Sequence, residues 1–146
     1  MIYVASSWRN MFQPAVIVAL KSAGVECYDF RNPAPGQGGF AWSEIDPAWE
    51  QWTPWQWRDA LKHPLAVDWF KRDMDALRAC TACLMVLPCG RSAHLELGWA
   101  VGARKATAVL AMEPTEPDLM VAMCSELFTD FSFAIEWCAK MCGKVL

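Results

Sequence analysis

ACLMVLPCGRSAHLELGWAVGARKATAVLAM, spanning Ala82–Met112, decides the fold. Ala82–Leu87 is a continuous apolar run, the pattern of a strand covered on both faces. A turn through Gly90-Arg91-Ser92 follows, and Ser92–Arg104 reads as a helix with Ser92 as its N-cap. Ala106–Met112 is a second apolar run. Strand, helix and strand within about 30 residues make a βαβ unit, which joins parallel neighbours.

The same alternation continues on both sides of this unit. Ile2–Ala5 is a short strand ending at Ser6-Ser7, and Phe12–Ala23 is a helix closed by Gly24. Val25–Phe30 forms a second strand, followed by the Pro/Gly-rich loop NPAPGQGG. Leu65–Ala79 carries a helical stripe through Ala66, Trp69, Phe70, Met74 and Leu77. Beyond Met112 come a short helix at Asp118–Cys124, a last strand at Leu127–Thr129 and a final helix at Phe131–Met141. Five strands in this order predict a flavodoxin-like three-layer α/β sandwich with a parallel sheet ordered 2-1-3-4-5. In such sheets ligands bind at the carboxyl ends of the strands where the order reverses, between strands 1 and 3.

The length of 146 residues suits a single domain over 1–146. Its one biased segment is a Trp-rich insert at about 40–57, with Trp42, Trp49, Trp52, Trp55 and Trp57 irregularly spaced. Either the indoles pack on one another over the sheet edge, or they form a lid that stacks on a planar ligand.

Composition excludes several function classes. Apolar residues are 55% and charged residues 20%, and the net charge is −3, so nucleic acid and anionic membrane are not expected partners. No apolar run reaches the ~18 residues that span a bilayer. The N-terminal segment lacks a signal-peptide pattern, and a cytoplasmic location is expected. Seven cysteines, an odd number, suit reduced thiols. Cys80 and Cys83 fall on a helix end and the next strand rather than a zinc turn, and Cys138 and Cys142 share a helix face as small hydrophobes. No metal or organic cofactor is expected. GxGxxG, GxxxxGK[ST] and GxSxG motifs are all absent, which disfavours dinucleotide dehydrogenases, P-loop NTPases and α/β-hydrolases.

Two carboxylates stand out against this background. Glu96 lies about one turn into its helix, with Ser92, Ala93, Trp99 and Ala100 as its helical neighbours and no cation among them. The helix dipole favours an anion there, so Glu96 is expected to stay ionised, as a carboxylate nucleophile must. Asp68 and Asp75 have Lys71, Arg72 and Arg78 within one helical turn, the mark of a solvated face. Asp73 instead meets Trp69, Phe70, Ala76 and Leu77. It is either a carboxylate bonded to backbone at the core edge or a second pocket carboxylate. Ser6 and Ser7 after strand 1, and Gly90, Arg91 and Ser92 after strand 3, either form simple turns or contact a phosphate or ribose. His94 points away from Glu96 around the helix.

Three segments together, IYVASSW (Ile2–Trp8), RDMDALRACTACLMVLP (Arg72–Pro88) and GRSAHLELGWAVGARK (Gly90–Lys105), resemble the nucleoside 2-deoxyribosyltransferase superfamily. That group includes deoxynucleoside 5'-monophosphate N-glycosidases and is structurally akin to TIR-like folds. The likeness covers roughly residues 1–10 and 66–112. It implies cleavage of an N-glycosidic bond, with Glu96 of the ELGxA element as nucleophile and Asp73 positioning the sugar or assisting proton transfer. It further implies that Tyr3 orients Glu96 and that Trp8 walls the pocket. The chain departs from many members at Cys80-Thr81, where they carry an Asp, and at Gly90-Arg91-Ser92, where transferases often carry an acidic residue. Its tail, EWCAKMCGKVL, lacks the transferases' Asn and aromatic ending. These departures point toward hydrolysis of a 5'-phosphorylated substrate. The expected partners are a small-molecule nucleoside or nucleotide and a second copy of the chain in a homo-oligomer. The competing expectation is a nucleotide-binding or TIR-like sensor domain without turnover.

Overall fold

A computed structural model of the chain describes residues 1–145. Its five strands are β1 (Ile2–Ala5), β2 (Cys27–Tyr28), β3 (Ala82–Val86), β4 (Ala106–Leu110) and β5 (Glu126–Phe128). They form one parallel sheet in the order β2-β1-β3-β4-β5, as the alternation predicts. The helices are α1 (Gln13–Ser22), α2 (Pro54–Ala60), α3 (Pro64–Ala79), α4 (Arg91–Gly102) and α5 (Phe131–Met141). The segment expected to be helical at 118–124 is a 3₁₀ turn over Leu119–Met123.

Side-chain alternation along the strands sorts the core into two layers. Ile2, Val4, Ala82, Leu84, Val86, Ala108 and Leu110 meet α1 and α5 through Val16, Leu20, Ile135 and Cys138. Tyr3, Ala5, Cys83, Met85 and Val109 face the opposite way, toward Leu77 of α3 and Ala93, Leu97 and Ala100 of α4. The residues at 93, 97 and 100 repeat at helical spacing, which turns that stripe of α4 onto the sheet.

Helix ends follow from local chemistry. After α1, Gly24 adopts φ 65°, its amide bonds Lys21 and the Val25 amide bonds Leu20, a Schellman stop suited to glycine. α4 closes in the same way, with Arg104 at φ 58° in the left-handed position. That stop ends α4 at Gly102 rather than Arg104. At the other end Gly90, not Ser92, occupies the N-cap position, without a side-chain cap. Ser92 lies within the first turn, because the extended backbone at Gly90 starts the helix earlier than a hydroxyl cap would.

The Trp-rich insert folds as two 3₁₀ turns, Trp42–Glu44 and Trp49–Gln51, leading into α2. Trp42 and Trp52 pack edge to face at 5.6 Å, and Phe40 joins them. Trp49, Trp55 and Trp57 are exposed, so the indoles form a small mutual core only in part.

Candidate active site

In-register pairing sets three side chains in a row across the sheet. Tyr3 is paired with Tyr28 of β2 and with Cys83 of β3, and parallel neighbours in register point to the same face. The Tyr3 and Tyr28 rings stack at 5.2 Å with planes 20° apart. This row forms a floor. α3 brings Asp73 to it and α4 brings Glu96, so the three residues named as catalytic share one cluster, with Tyr3 buried and the two carboxyls half-buried.

The electrostatics of the cluster are those of two carboxyls taken out of water. Burial, followed by the Asp73 charge, pushes Glu96 up to about 7, and hydrogen-bond attraction from Tyr3 offsets only part of that. The ionised Glu96 expected from the helix dipole is therefore not its settled state at neutral pH. Glu96 lies midway along α4 (Arg91–Gly102), where the dipole has faded and desolvation dominates. Asp73 is also raised by burial, but the Tyr28 hydroxyl donates to its Oδ1 at 2.7 Å and holds it back. Burial raises Tyr3 far above the ordinary phenol range, with Glu96 and Asp73 adding to it. The Tyr3 hydroxyl stops short of a full hydrogen bond to Glu96. It and Nε of Arg31 are the two buried side-chain polar atoms without a partner among the described residues.

Other charges on α3 pair as their spacing predicts. Arg72 meets Asp68 at 3.0 Å, and Lys71 and Arg78 meet Asp75 at 2.9 and 3.0 Å. Asp73 takes no helical cation; its partner comes from β2.

The loops after β1 and β3 are stitched together above this floor. Ser6 Oγ donates to the Val86 carbonyl at 2.9 Å, so its proton is spent on structure. Asn10 Nδ2 donates to the carbonyls of Val86 and Pro88 at 3.0 and 2.9 Å, while its Oδ1 accepts from the Phe12 and Gln13 amides that open α1. Arg31 Nη2 donates to the carbonyls of Ser7, Trp8 and Asn10, fixing the course of the first loop. Ser7 Oγ accepts from the Arg9 amide at 3.3 Å. Trp8 is half exposed and packs edge to face on Phe30 at 5.5 Å. Gly39, at the start of the insert, presses against the Trp8 indole and the Phe30 carbonyl so closely that a Cβ would collide with both. Gly90, Arg91 and Ser92 are exposed at the opening of α4, and Ser92 shares a helix face with Glu96 four residues on.

A separate hollow lies elsewhere. A groove of about 1040 Å³ opens along the carboxyl ends of β3, β4 and β5, lined by Leu87, Cys89, His94, Asp118, Val121 and Leu127 among others, and neither Glu96 nor Asp73 reaches it. His94 belongs to this groove: its Nδ1 is 2.9 Å from the Gly90 carbonyl and its Nε2 is 3.9 Å from Asp118. The half-buried carboxyl cluster, not the groove, carries the perturbed acids that acid–base or nucleophilic chemistry uses. The described residues hold no group of three or more His, Cys, Asp and Glu side chains that could bind a metal ion, and no helix long and apolar enough to cross a membrane.

Tyr28, Asn10 and Arg31 are the contributors that residue spacing alone leaves unassigned. Only the β1–β2 register sets Tyr28 beside Tyr3, and that register lies outside any local pattern.

No protein-family model matches the chain, and no curated protein matches it by sequence. Among solved structures, it is similar to a 2-deoxyribosyltransferase from the psychrotolerant bacterium Bacillus psychrosaccharolyticus. The TM-score is 0.58 at 17% identity, covering 92% of this chain and 89% of the other. It is also similar to a CMP N-glycosidase from Clostridium botulinum, with a TM-score of 0.52 at 14% identity, covering 93% and 96%. At these identities the likeness is one of fold.

Proposed function

We propose that the protein cleaves the N-glycosidic bond of a (deoxy)nucleoside or nucleoside 5'-monophosphate, with Glu96 as nucleophile. The observation that carries this reading is the placing of two half-buried carboxyls, Glu96 and Asp73, by the Tyr3–Tyr28 floor. The fold shared with a deoxyribosyltransferase and an N-glycosidase supports it.

In this mechanism an ionised Glu96 oxygen attacks C1' as the bond from C1' to the base nitrogen breaks. The electron pair leaves with the base, which takes a proton from water, while Asp73 positions the sugar. The transition state has oxocarbenium character, which a nearby carboxylate stabilises. Water, or a second base, then attacks C1' of the glycosyl ester and releases Glu96, so two inversions give net retention. Tyr3 orients Glu96, and Trp8 walls the base. Ser7, Arg91, Ser92 and the Gly90 turn contact a phosphate or ribose, as does Ser6 through its remaining lone pairs. The protein works on small molecules in the cytoplasm as one domain. It assembles as a homodimer along its exposed apolar residues, which include Leu119, Met123 and Leu127.

The test is chromatography of the protein incubated with nucleosides, deoxynucleoside monophosphates and NAD, with Glu96→Ala in parallel. Free base released by the unmodified protein alone is the expected result, and an added second base separates transfer from hydrolysis. Saturable binding without any released base would overturn the proposal in favour of a non-catalytic nucleotide sensor.

A further inference from the structure

Tyr3 and Tyr28 are register partners with stacked rings, yet their hydroxyls serve different carboxyls. Tyr28 makes a short hydrogen bond to Asp73, 2.7 Å long, in which the phenol donates and the carboxylate accepts. Tyr3, fully buried beside Glu96, completes no such bond. One carboxyl of the pair thus has a full hydrogen bond that stabilises its anion, and the other has only the weaker pull of Tyr3.

We propose that Tyr28 is a positioning residue that decides which of the two cleft carboxyls holds a proton, keeping Asp73 as the anion and Glu96 as the acid. Two carboxyls whose charges act on each other in a partly desolvated cleft do not ionise independently, because the first charge opposes the second. The Tyr28 bond breaks the symmetry between them. Resting on Glu96 as the nucleophile, it follows that Tyr28 sets the pH at which that nucleophile becomes armed. Deprotonation of Asp73 comes first as pH rises; Glu96 follows against the Asp73 charge.

The groups acting on the pair are few. Glu96 is faced by Asp73 from α3, Tyr3 from β1, Cys83 from β3 and Cys89 from the loop before α4, with Tyr28 of β2 beside them. Asp73 is faced by Tyr28, Tyr3 and Glu96. Arg72 is a cation whose charge reaches Tyr28, and it is held by Asp68 and Gln37. The thiols stay neutral, since burial raises Cys83 well above its ordinary value and Cys89 to about 11.

The experiment is a carboxyl-carbon NMR titration of the ligand-free protein, with the two signals assigned by Glu96→Gln and Asp73→Asn. In the unmodified protein the Glu96 midpoint is expected near 7, above that of Asp73. Tyr28→Phe keeps the ring and removes the donor. Losing a hydrogen bond to a charged group should raise the Asp73 midpoint by about one to two pH units. The gap between the two midpoints then narrows, and Glu96, now beside a less fully charged Asp73, titrates lower. Tyr3→Phe, which removes the other phenol, should leave Asp73 where it was. An unchanged gap between the midpoints in Tyr28→Phe would overturn the proposal. Should that variant not fold, Asp73→Asn decides instead: a Glu96 midpoint that stays near 7 once the Asp73 charge is gone equally overturns it. The titration needs no substrate, so a failure of the glycosidase reading leaves this test intact. If base is released, the acid limb of the pH–rate profile should move down with Glu96.

Discussion

Glu96 should reduce the stability of the protein that uses it, and Glu96→Gln exposes by how much. In the folded chain its carboxyl is raised from 4.5 to about 7, first by burial and then by the Asp73 charge. A folded-state value above the unfolded one means that the native protein holds a proton that the unfolded chain has released. Between pH 4.5 and 7, therefore, stability falls as pH rises, the reverse of the usual salt-bridged acid. At about 1.4 kcal/mol per pH unit the rise corresponds to roughly 3 kcal/mol lost by pH 8, an order-of-magnitude figure because Glu96 is coupled to Asp73. At pH 5 the loss is about 1 kcal/mol, since Glu96 is protonated in the fold and largely ionised only when unfolded. Glutamine is nearly isosteric and never ionises. Glu96→Gln should therefore be stabilised over the unmodified protein at pH 8 by roughly 2–3 kcal/mol more than at pH 5. The assay is urea unfolding of both proteins at the two pH values, with the m-values compared to confirm that the unfolded states match. All other titrating groups are common to both proteins and cancel to first order. A stability difference that does not change between pH 5 and pH 8 would refute the reasoning, and with it the perturbed state of Glu96.

Asn10→Ala removes a side chain that holds two carbonyls and two amides at the junction of the β1 and β3 loops, and should destabilise by about 2–4 kcal/mol in the same unfolding assay. Arg104→Gly relieves a left-handed backbone at φ 58° and should raise the thermal midpoint, with a stability gain of about 1 kcal/mol. Arg91→Ala, on an exposed side chain at the opening of α4, should raise KM for a nucleoside monophosphate about tenfold or more while leaving the unphosphorylated nucleoside unaffected, as steady-state rates would show.

Much of the architecture is legible from local pattern because burial on both faces writes itself into the chain. The apolar runs at Ala82–Leu87 and Ala106–Met112 are strands, the stripe of Leu65–Ala79 is a helix, and the alternation between them leads to the 2-1-3-4-5 sheet. Helical spacing also separates Asp73 from Asp68 and Asp75, since a cation three or four residues away is a local fact. The limits of local reading show at β2, expected over Val25–Phe30 and observed only at Cys27–Tyr28. Asp29 there turns away into bonds with Gln13, Arg31 and Asn32, a choice of partners that strand propensity does not encode. The state of Glu96 shows the same limit. From its helix alone it reads as an anion favoured by the dipole, and only packing against the sheet takes it out of water and brings Asp73 near. Partners joined by sequence separations of 45 residues, as Tyr28 and Asp73 are, depend on strand register and helix docking. What the sequence by itself determined is therefore which residues are candidates and which layer they occupy. The tertiary structure alone decided who meets whom and in what charge state, because desolvation and Coulomb coupling depend on distances that no spacing along the chain contains.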